Sequence, residues 1–240
     1  MQINILQLTD GARKASGTTV VIDVFRAFST VCYLMAAGAE KIIPVETVEE
    51  ALHLKNLLPE AVLLGERHER KVEGFDFGNS PTHIYSLDFT GKTVIMTTSS
   101  GTKGLMNATG ASEILTGSFV NAGAIIRYLK GKNPDVISLV CMGYEGHRPT
   151  QEDTFLAEYV RDKIMDQPTD FGRMKEILRT GDGARLLDPA NSEWSPASDF
   201  DLCLALDKFD FVVRLSEDKM STENAAFPIN ILTINDQINK

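Results

Sequence analysis

The segment TTVVIDVFRAFST, residues 18–30, predicts a strand followed by a helix, and later segments of the sequence repeat this order. Its β-branched run, residues 18–23, is continuous rather than alternating. Such a run predicts a strand buried on both faces, as in a parallel or mixed sheet covered by helices. The run ends in Asp23, Arg26 follows three residues later, and Ser29 lies near the start of a helix-like pattern. Ligands of open α/β sheets bind outside the carboxyl ends of the strands, so this acid and base indicate a functional site.

Further segments repeat the alternation of strand and helix. Apolar runs predict strands over residues 41–45, 61–65, 92–98, 112–117 and 135–143, and final strands over 209–215 and 227–234. Helices are predicted over 29–37, 47–58, 121–131 and 151–165, the second of them from a capping box of Thr47 with Glu50. We therefore predict an α/β fold of three layers, α/β/α, with a largely parallel or mixed central sheet and the active site at the carboxyl ends of its strands.

Residues 166–200 differ in composition, because they are rich in Pro, Gly and Asp. They predict one short helix within a lid or a peripheral segment. We expect the whole chain, residues 1–240, to form a single domain, since this length suits one large core.

Charge and cysteine content exclude several classes of protein. The net charge of −9 and the lack of a Lys/Arg-rich run argue against nucleic-acid binding. No apolar run reaches the length of a membrane span, so no membrane partner is expected.

Three widely spaced cysteines in apolar contexts, Cys32, Cys141 and Cys203, predict reduced core residues of a cytoplasmic protein. We also expect a homo-oligomer, because soluble enzymes often form symmetric ones.

Polar residues follow the other predicted strands as well. In chain order these are Glu66 and Arg67, the segment TTSSGT (97–102), Gly117 and Ser118, and then Arg148, Glu152 and Asp153. A helix that begins near Thr102 after small residues would present backbone N–H groups to a phosphate or a sulfonate. Carboxylates at strand ends suit a hard cation such as Mg²⁺.

Three phosphate chemistries with known sequence motifs are excluded. The chain has no GxxxxGK[ST] segment, which a P-loop requires. A cysteine phosphatase loop places five residues between its Cys and its Arg, whereas six separate Cys141 from Arg148. A haloacid-dehalogenase motif, DxDx[TV], would need an Asp where this chain has Phe25.

Five motifs taken together resemble one family. They are DVFRAFST (23–30), GERHERKVEGFDFGNSP (65–81), TTSSGT (97–102), GSFVNA (117–122) and CMGYEGHRPTQED (141–153). In order and spacing they resemble the 2-phosphosulfolactate phosphatases of the coenzyme M pathway. The resemblance extends over nearly the whole chain and is strong from about residue 18 to 165. The chain departs from the family pattern at Phe28, which narrows the site, and at Ser100, which removes an amide donor.

The resemblance implies a Mg²⁺-dependent phosphomonoesterase that converts (2R)-2-phospho-3-sulfolactate, a small anionic phosphate ester, to 3-sulfolactate and phosphate. For this chemistry we predict Asp23, Arg26 and Glu66 as catalytic residues, and Asp23, Glu66, Glu152 and Asp153 as the source of metal ligands. Substrate-binding residues are predicted to be Arg67, Asn79, Ser99, Ser100, Gly101, Ser118 and Arg148. Metal and arginines together would offset the charge on the transferring phosphoryl group.

Two alternatives stay open on the sequence alone. The attacking group is either a metal-bound water or Asp23 as a covalent nucleophile. The protein is either a phosphatase for phosphosulfolactate or for another phosphorylated hydroxy acid, or it is a non-catalytic binder of anionic metabolites. The acids disfavour the binder, because an anion receptor gains nothing from carboxylates such as Asp23 and Glu66 around its ligand.

Overall fold

The structure is a computed structural model that describes residues 1–217 and 229–235. The strands within these residues are β1 (Gln2–Gln7), β2 (Gly17–Ile22), β3 (Lys41–Pro44), β4 (Val62–Arg67), β5 (Arg70–Lys71), β6 (Thr93–Thr97), β7 (Ala111–Gly117), β8 (Val136–Cys141), β9 (Val213–Glu217) and β10 (Asn230–Ile234). The helices are α1 (Leu8–Arg13), α2 (Ala27–Ala36), α3 (Val48–Leu57), α4 (Gly101–Asn107), α5 (Ala122–Lys132), α6 (Gln151–Ile164), α7 (Phe171–Thr180), α8 (Ala184–Leu187) and α9 (Ser198–Cys203). Short 3₁₀ turns lie at Pro81–His83, Phe119–Asn121 and Pro189–Asn191.

All described strands join one mixed sheet in the order β1-β8-β2-β7-β9-β10-β3-β6-β4-β5. It contains two parallel blocks, β1-β8-β2-β7 and β3-β6-β4. Three antiparallel pairings in succession, β7–β9, β9–β10 and β10–β3, separate the blocks, so the second block runs opposite to the first. Residues at the carboxyl ends of β2 and β8 in the first block and of β4 and β6 in the second nevertheless line one cavity.

Helices cover both faces of the sheet, which confirms the predicted α/β fold. One face packs against α1, α2 and α4 in a core that draws on both strand blocks. The opposite face packs against α5, α6 and α9 over the first block, and against α3 over the second. Helix α2 is buried from Ala27 to Met35, because its residues are apolar except for Ser29 and Thr30 and it packs in the same core as Val21 of β2.

Several element boundaries differ from the sequence prediction. Residues 166–200 contain α7, α8 and the start of α9 rather than one short helix. Local capping accounts for part of this, since the side chain of Asp170 accepts the backbone N–H of Arg173 at the start of α7. The first strand, β1, was not predicted; among the described strands it lies at the edge of the sheet and pairs with β8. Residues 209–212 precede β9 rather than belonging to it, and residues 227–228 lie outside the described part of the chain.

Two further expectations concern the cysteines and the membrane. Cys32, Cys141 and Cys203 are buried and free, as predicted. Within residues 1–217 and 229–235, no helix has the length and apolar character needed to cross a bilayer.

Candidate active site

A small polar cavity lies where the carboxyl ends of β2, β4, β6 and β8 meet. Its volume is about 30 Å³, enough for one or two water molecules. We call it the Asp23 pocket, and its walls are formed by Asp23, Phe25, Arg26, Glu66, Glu69, Asn79, Ser99, Ser100, Gly143, Tyr144 and Glu145. The structure therefore brings together six of the residues predicted from the sequence: Asp23, Arg26, Glu66, Asn79, Ser99 and Ser100.

Asp23 is the carboxylate at the end of β2 and is almost completely buried. Its Oδ1 accepts the backbone N–H of Ala27 at 3.1 Å, which fixes the side chain at the start of α2. The pKa of Asp23 is raised to about 7, mainly by burial and to a smaller extent by the charges of Glu66 and Glu152, while the hydrogen bond from Ala27 opposes the shift. A carboxyl group with a pKa near 7 can accept and release a proton at neutral pH.

Gly101 lies against Asp23 at the first residue of α4. A Cβ added there would come within 2.9 Å of Ala27 Cβ, 3.0 Å of Asp23 Oδ2 and 3.2 Å of the Phe28 ring. The glycine is therefore needed for the close approach of α4 to the strand end and to α2. Phe28 is fully buried in this contact and belongs to the core.

We expect Gly101→Ala to lower kcat/KM by about 10-fold or more and to destabilise the fold by about 1–3 kcal/mol, because Asp23 and Ala27 must move. The matched control is Gly131→Ala, since a Cβ at that position in α5 meets no atom within 4 Å. Alanine is favoured over glycine in a helix, so the control should be neutral or stabilised by about 0.5–1 kcal/mol. Urea denaturation and steady-state kinetics measure both effects, and equal behaviour of the two variants would contradict the role of Gly101.

Glu66 joins the end of β4 to the segment after β6. Its Oε1 accepts the backbone N–H of Ser99 at 2.6 Å, and its Oε2 accepts the Ser99 hydroxyl at 3.1 Å and the Glu69 N–H at 2.9 Å. The sequence predicts that backbone N–H groups of this segment face an anion of the substrate. In the structure the Ser99 N–H instead donates its hydrogen bond to Glu66. Ser100 donates its hydroxyl to the Gly143 carbonyl at 2.9 Å. The two serines hold the pocket wall in place.

Arg26 is buried beside the pocket but does not pair with Asp23. Its Nη1 donates to Asp199 Oδ2 at 2.9 Å and to the Trp194 carbonyl at 2.6 Å, and its Nη2 donates to the Glu69 carbonyl at 3.0 Å. The ion pair with Asp199 is almost fully excluded from solvent. The guanidinium is therefore held as a rigid, charged part of the wall.

Glu152 and Asp153 lie behind the pocket at the start of α6. Asp153 accepts the N–H of Val24 at 2.9 Å and that of Gly143 at 2.8 Å, so it links the ends of β2 and β8. Glu152 Oε1 accepts Arg185 Nη2 at 3.2 Å, whereas its buried Oε2 has no partner within the described residues. Burial raises the pKa of both carboxyl groups, and for Asp153 the charge of Glu152 adds to the effect.

Three predicted substrate-binding residues are directed away from the pocket. Arg67 donates to the carbonyls of Glu66 and Glu46 and to the Thr97 hydroxyl. Ser118 is fully buried and shares a 2.6 Å hydrogen bond with Ser29. Arg148 is exposed and pairs with Asp182 at 2.9 Å.

The sequence did not single out Arg185, which belongs to α8. Its Nε donates to Glu69 Oε1 at 2.8 Å, and its Nη2 donates to Glu152 Oε1 and to the Phe25 carbonyl. Arg185 thus connects a wall residue of the pocket to Glu152 behind it. Glu69 lies within a motif quoted from the sequence, but no local motif marks Arg185, whose partners Glu152, Glu69 and Phe25 are 33, 116 and 160 residues away along the chain.

The oxygen atoms of the carboxylate and amide side chains at the pocket are of the kind that Mg²⁺ binds. Two buried acceptor atoms, Asn79 Oδ1 in the pocket wall and Glu152 Oε2 behind it, have no hydrogen-bond donor in the described part of the chain. Among these residues no group of three or more His, Cys, Asp or Glu side chains is gathered as a metal site. Mg²⁺ usually takes only one or two carboxylates and completes its shell with water and substrate phosphate, so Asp23 and Glu66 could suffice.

Comparison with known proteins places this geometry in a family context. A family model described as 2-phosphosulpholactate phosphatase matches residues 3–218. A protein named probable 2-phosphosulfolactate phosphatase from Caldanaerobacter subterraneus subsp. tengcongensis is 34% identical over 222 residues, which are 85% of this chain and 89% of the relative. A protein of the same name from Caldicellulosiruptor saccharolyticus is 42% identical over 164 residues, 67% of each chain. Another from Clostridium acetobutylicum is 36% identical over 184 residues, 75% of each chain.

The matched region contains every wall residue of the Asp23 pocket, together with Glu152, Arg185 and Asp199 behind it. It also contains the five motifs on which the resemblance in the sequence rests. A match of this extent confirms that resemblance, and the chain belongs to the 2-phosphosulpholactate phosphatase family, whose name describes a phosphoric monoester hydrolase.

Proposed function

We propose that the protein hydrolyses (2R)-2-phospho-3-sulfolactate to 3-sulfolactate and phosphate. The observation that carries this proposal is the buried Asp23 at the end of β2, whose pKa of about 7 prepares it for proton transfer or attack. The names of the relatives support the substrate. We place the reaction in the cytoplasm, which the three free cysteines support.

We further propose that the reaction depends on Mg²⁺ bound by Asp23 and Glu66, with Glu152 behind them. Four carboxylates and a single arginine lie among the described wall residues, and that arginine is already paired with Asp199. A phosphate dianion would be repelled by such a wall unless a cation offset the charge. Bound Mg²⁺ would neutralise charge on the phosphoryl oxygens. The unpartnered acceptors Glu152 Oε2 and Asn79 Oδ1 support a cation at this place.

Asp23 and Arg26 then have different roles in the reaction. Asp23 either attacks the phosphorus or takes the proton of the attacking water. Arg26 presents a fixed positive charge, because Asp199 and two carbonyls hold its guanidinium. Acid quenching of a single turnover followed by mass spectrometry separates the two routes, since only covalent attack leaves a phosphoryl group on the Asp23 carboxylate while the alcohol is released.

The metal proposal predicts a shift in thermal stability. At 100-fold excess over its Kd, Mg²⁺ should raise the Tm of the wild-type protein by about 5 °C or more, since a ligand of the folded state adds about 2.7 kcal/mol. EDTA should reverse the shift, and Asp23→Asn should remove most of it. The matched control is Asp135→Asn, which removes a carboxylate at the opposite, amino end of β8. A shift that is the same in all three proteins would contradict binding at Asp23.

Phosphate release from a panel of esters tests the proposed substrate. We expect kcat/KM to be highest for phosphosulfolactate, lower for phospholactate and lowest for p-nitrophenyl phosphate. A higher kcat/KM for phospholactate would support phosphate ester hydrolysis but would identify another phosphorylated hydroxy acid as the substrate. Absence of release from every ester, with ligand-induced stabilisation of the folded protein, would favour the non-catalytic binder.

A further inference from the structure

A second cavity is lined by residues that neighbour those of the Asp23 pocket in two segments of the chain. It is an open groove of about 630 Å³ whose lining includes Arg13, Glu46, Lys103 and His147. The start of α4 borders both cavities, because Ser100 faces the pocket and Lys103 faces the groove. The loop after β8 also borders both: Gly143 to Glu145 line the pocket, and Gly146 and His147 line the groove.

Within the part of the chain that the structure describes, Lys103 is a cation of this groove that has no ion-pair partner. Its side chain is half-buried, and within residues 1–217 and 229–235 its ammonium group makes no hydrogen bond or ion pair. Arg13, by contrast, pairs with Asp10 at 3.2 Å and donates to Asn107 at 3.2 Å. The groove also contains the carboxylate of Glu46 and the exposed imidazole of His147, so Lys103 supplies its uncommitted positive charge.

A lysine at position 103 is expected to lower the stability of the folded protein. It lies in the first turn of α4, where the helix dipole disfavours a positive charge. Partial burial also restricts a long, flexible side chain. Lys103 lines the groove three residues after Ser100, which lines the pocket. A residue that opposes local stability without a compensating contact is typical of a functional position.

We infer that Lys103 determines substrate specificity by binding the second anionic group of the ester, the sulfonate, in the groove. The inference rests on the proposed function. Ser100 and Lys103 are separated by about one helical turn, roughly 5 Å along the axis. The phosphate and the sulfonate of phosphosulfolactate are attached to adjacent carbon atoms, so one substrate can reach both walls. A lysine ammonium group is a compact point charge that suits a single oxyanion.

The test compares Lys103→Gln with the wild-type protein on phosphosulfolactate and on phospholactate, which has a methyl group in place of the sulfonomethyl group. We expect kcat/KM for phosphosulfolactate to fall by about 10- to 100-fold, mainly through KM, and kcat/KM for phospholactate to change less than about 3-fold. Lys103→Arg should restore most of the loss. The matched control, Lys92→Gln, removes a charge next to the amino end of β6 and should leave both substrates unaffected.

Binding of the product, 3-sulfolactate, tests the same contact without turnover. Calorimetry should show weaker binding to Lys103→Gln than to the wild type, by the same factor as the rise in KM. Equal losses for both esters, or unchanged affinity for 3-sulfolactate, would overturn the inference. If the wild-type protein releases no phosphate but binds 3-sulfolactate through Lys103, the proposed function fails and the inference stands.

Discussion

Asp23→Asn is expected to abolish phosphate release, by at least about 10³-fold in kcat, while the protein remains folded. Asparagine keeps the shape of the side chain and an oxygen to accept the Ala27 N–H. It cannot attack phosphorus, accept a proton or ligate Mg²⁺ with a full charge, and removing a group with these roles typically costs several orders of magnitude. The Asp135→Asn control, which alters a carboxylate remote from the pocket, should keep full activity.

The same variant should be more stable than the wild type at alkaline pH in the presence of EDTA. The pKa of Asp23 is raised to about 7 in the folded protein from an ordinary 3.8, so the unfolded chain releases this proton at lower pH. Between pH 4 and 7 the folded state holds the extra proton, and its stability therefore falls as pH rises. The asparagine of the variant does not ionise and avoids this loss, which is on the order of 2–4 kcal/mol at pH 8.

Urea denaturation of the two proteins at pH 4 and at pH 8 measures the difference. We expect closely similar stabilities at pH 4, where Asp23 is protonated in the folded protein, and a clear advantage for Asp23→Asn at pH 8. A variant that is less stable than the wild type at pH 8 would show that the ionised carboxylate stabilises the fold. That result would contradict the account of Asp23 as a group held at a cost in stability for its chemistry.

Asp199→Asn is expected to destabilise the protein by about 3–5 kcal/mol, or about 10 °C in Tm. Asp199 is fully buried and accepts hydrogen bonds from Arg26 at 2.9 Å, from Ser80 at 2.8 Å, and from the hydroxyl and backbone N–H of Thr82 at 2.6 and 3.0 Å. The substitution leaves the charge of Arg26 uncompensated in a buried site. Because Arg26 lines the pocket, kcat should also fall at temperatures where the variant is folded.

Asp201→Asn is the matched control, two residues later in the same helix. Asp201 is 63% exposed and pairs with Lys175 at 2.8 Å on the surface, so its loss should cost less than about 1 kcal/mol. Thermal denaturation of the two variants measures the contrast. If both variants lost stability equally, the buried ion pair would not be what anchors the 166–200 segment to the pocket.

The sequence predicted the elements of the site better than the directions of its side chains. Continuous apolar runs located β2, β4, β6 and β8, and the carboxyl ends of these strands form the pocket as expected. Side chains alternate along a strand, so Glu66 and Arg67 at the end of β4 cannot both face one cavity. Glu66 lines the pocket, and Arg67 binds carbonyls outside it.

Long-range contacts account for what the sequence could not predict. Asp199 meets Arg26 across 173 residues, and Arg185 meets Glu69 across 116. Neither contact belongs to a motif, and the Pro-, Gly- and Asp-rich composition of 166–200 indicated a lid or a peripheral segment. The structure shows that this segment supplies buried partners to the pocket walls, and such partners are visible only once the chain is folded.

Phosphate release from (2R)-2-phospho-3-sulfolactate by the purified protein, with Mg²⁺ and with EDTA, tests the central claim most directly. Our account predicts release that requires Mg²⁺, that exceeds release from phospholactate, and that is lost in Asp23→Asn. Undiminished release by the folded Asp23→Asn protein, or no release by a wild-type protein that binds the ester, would contradict it.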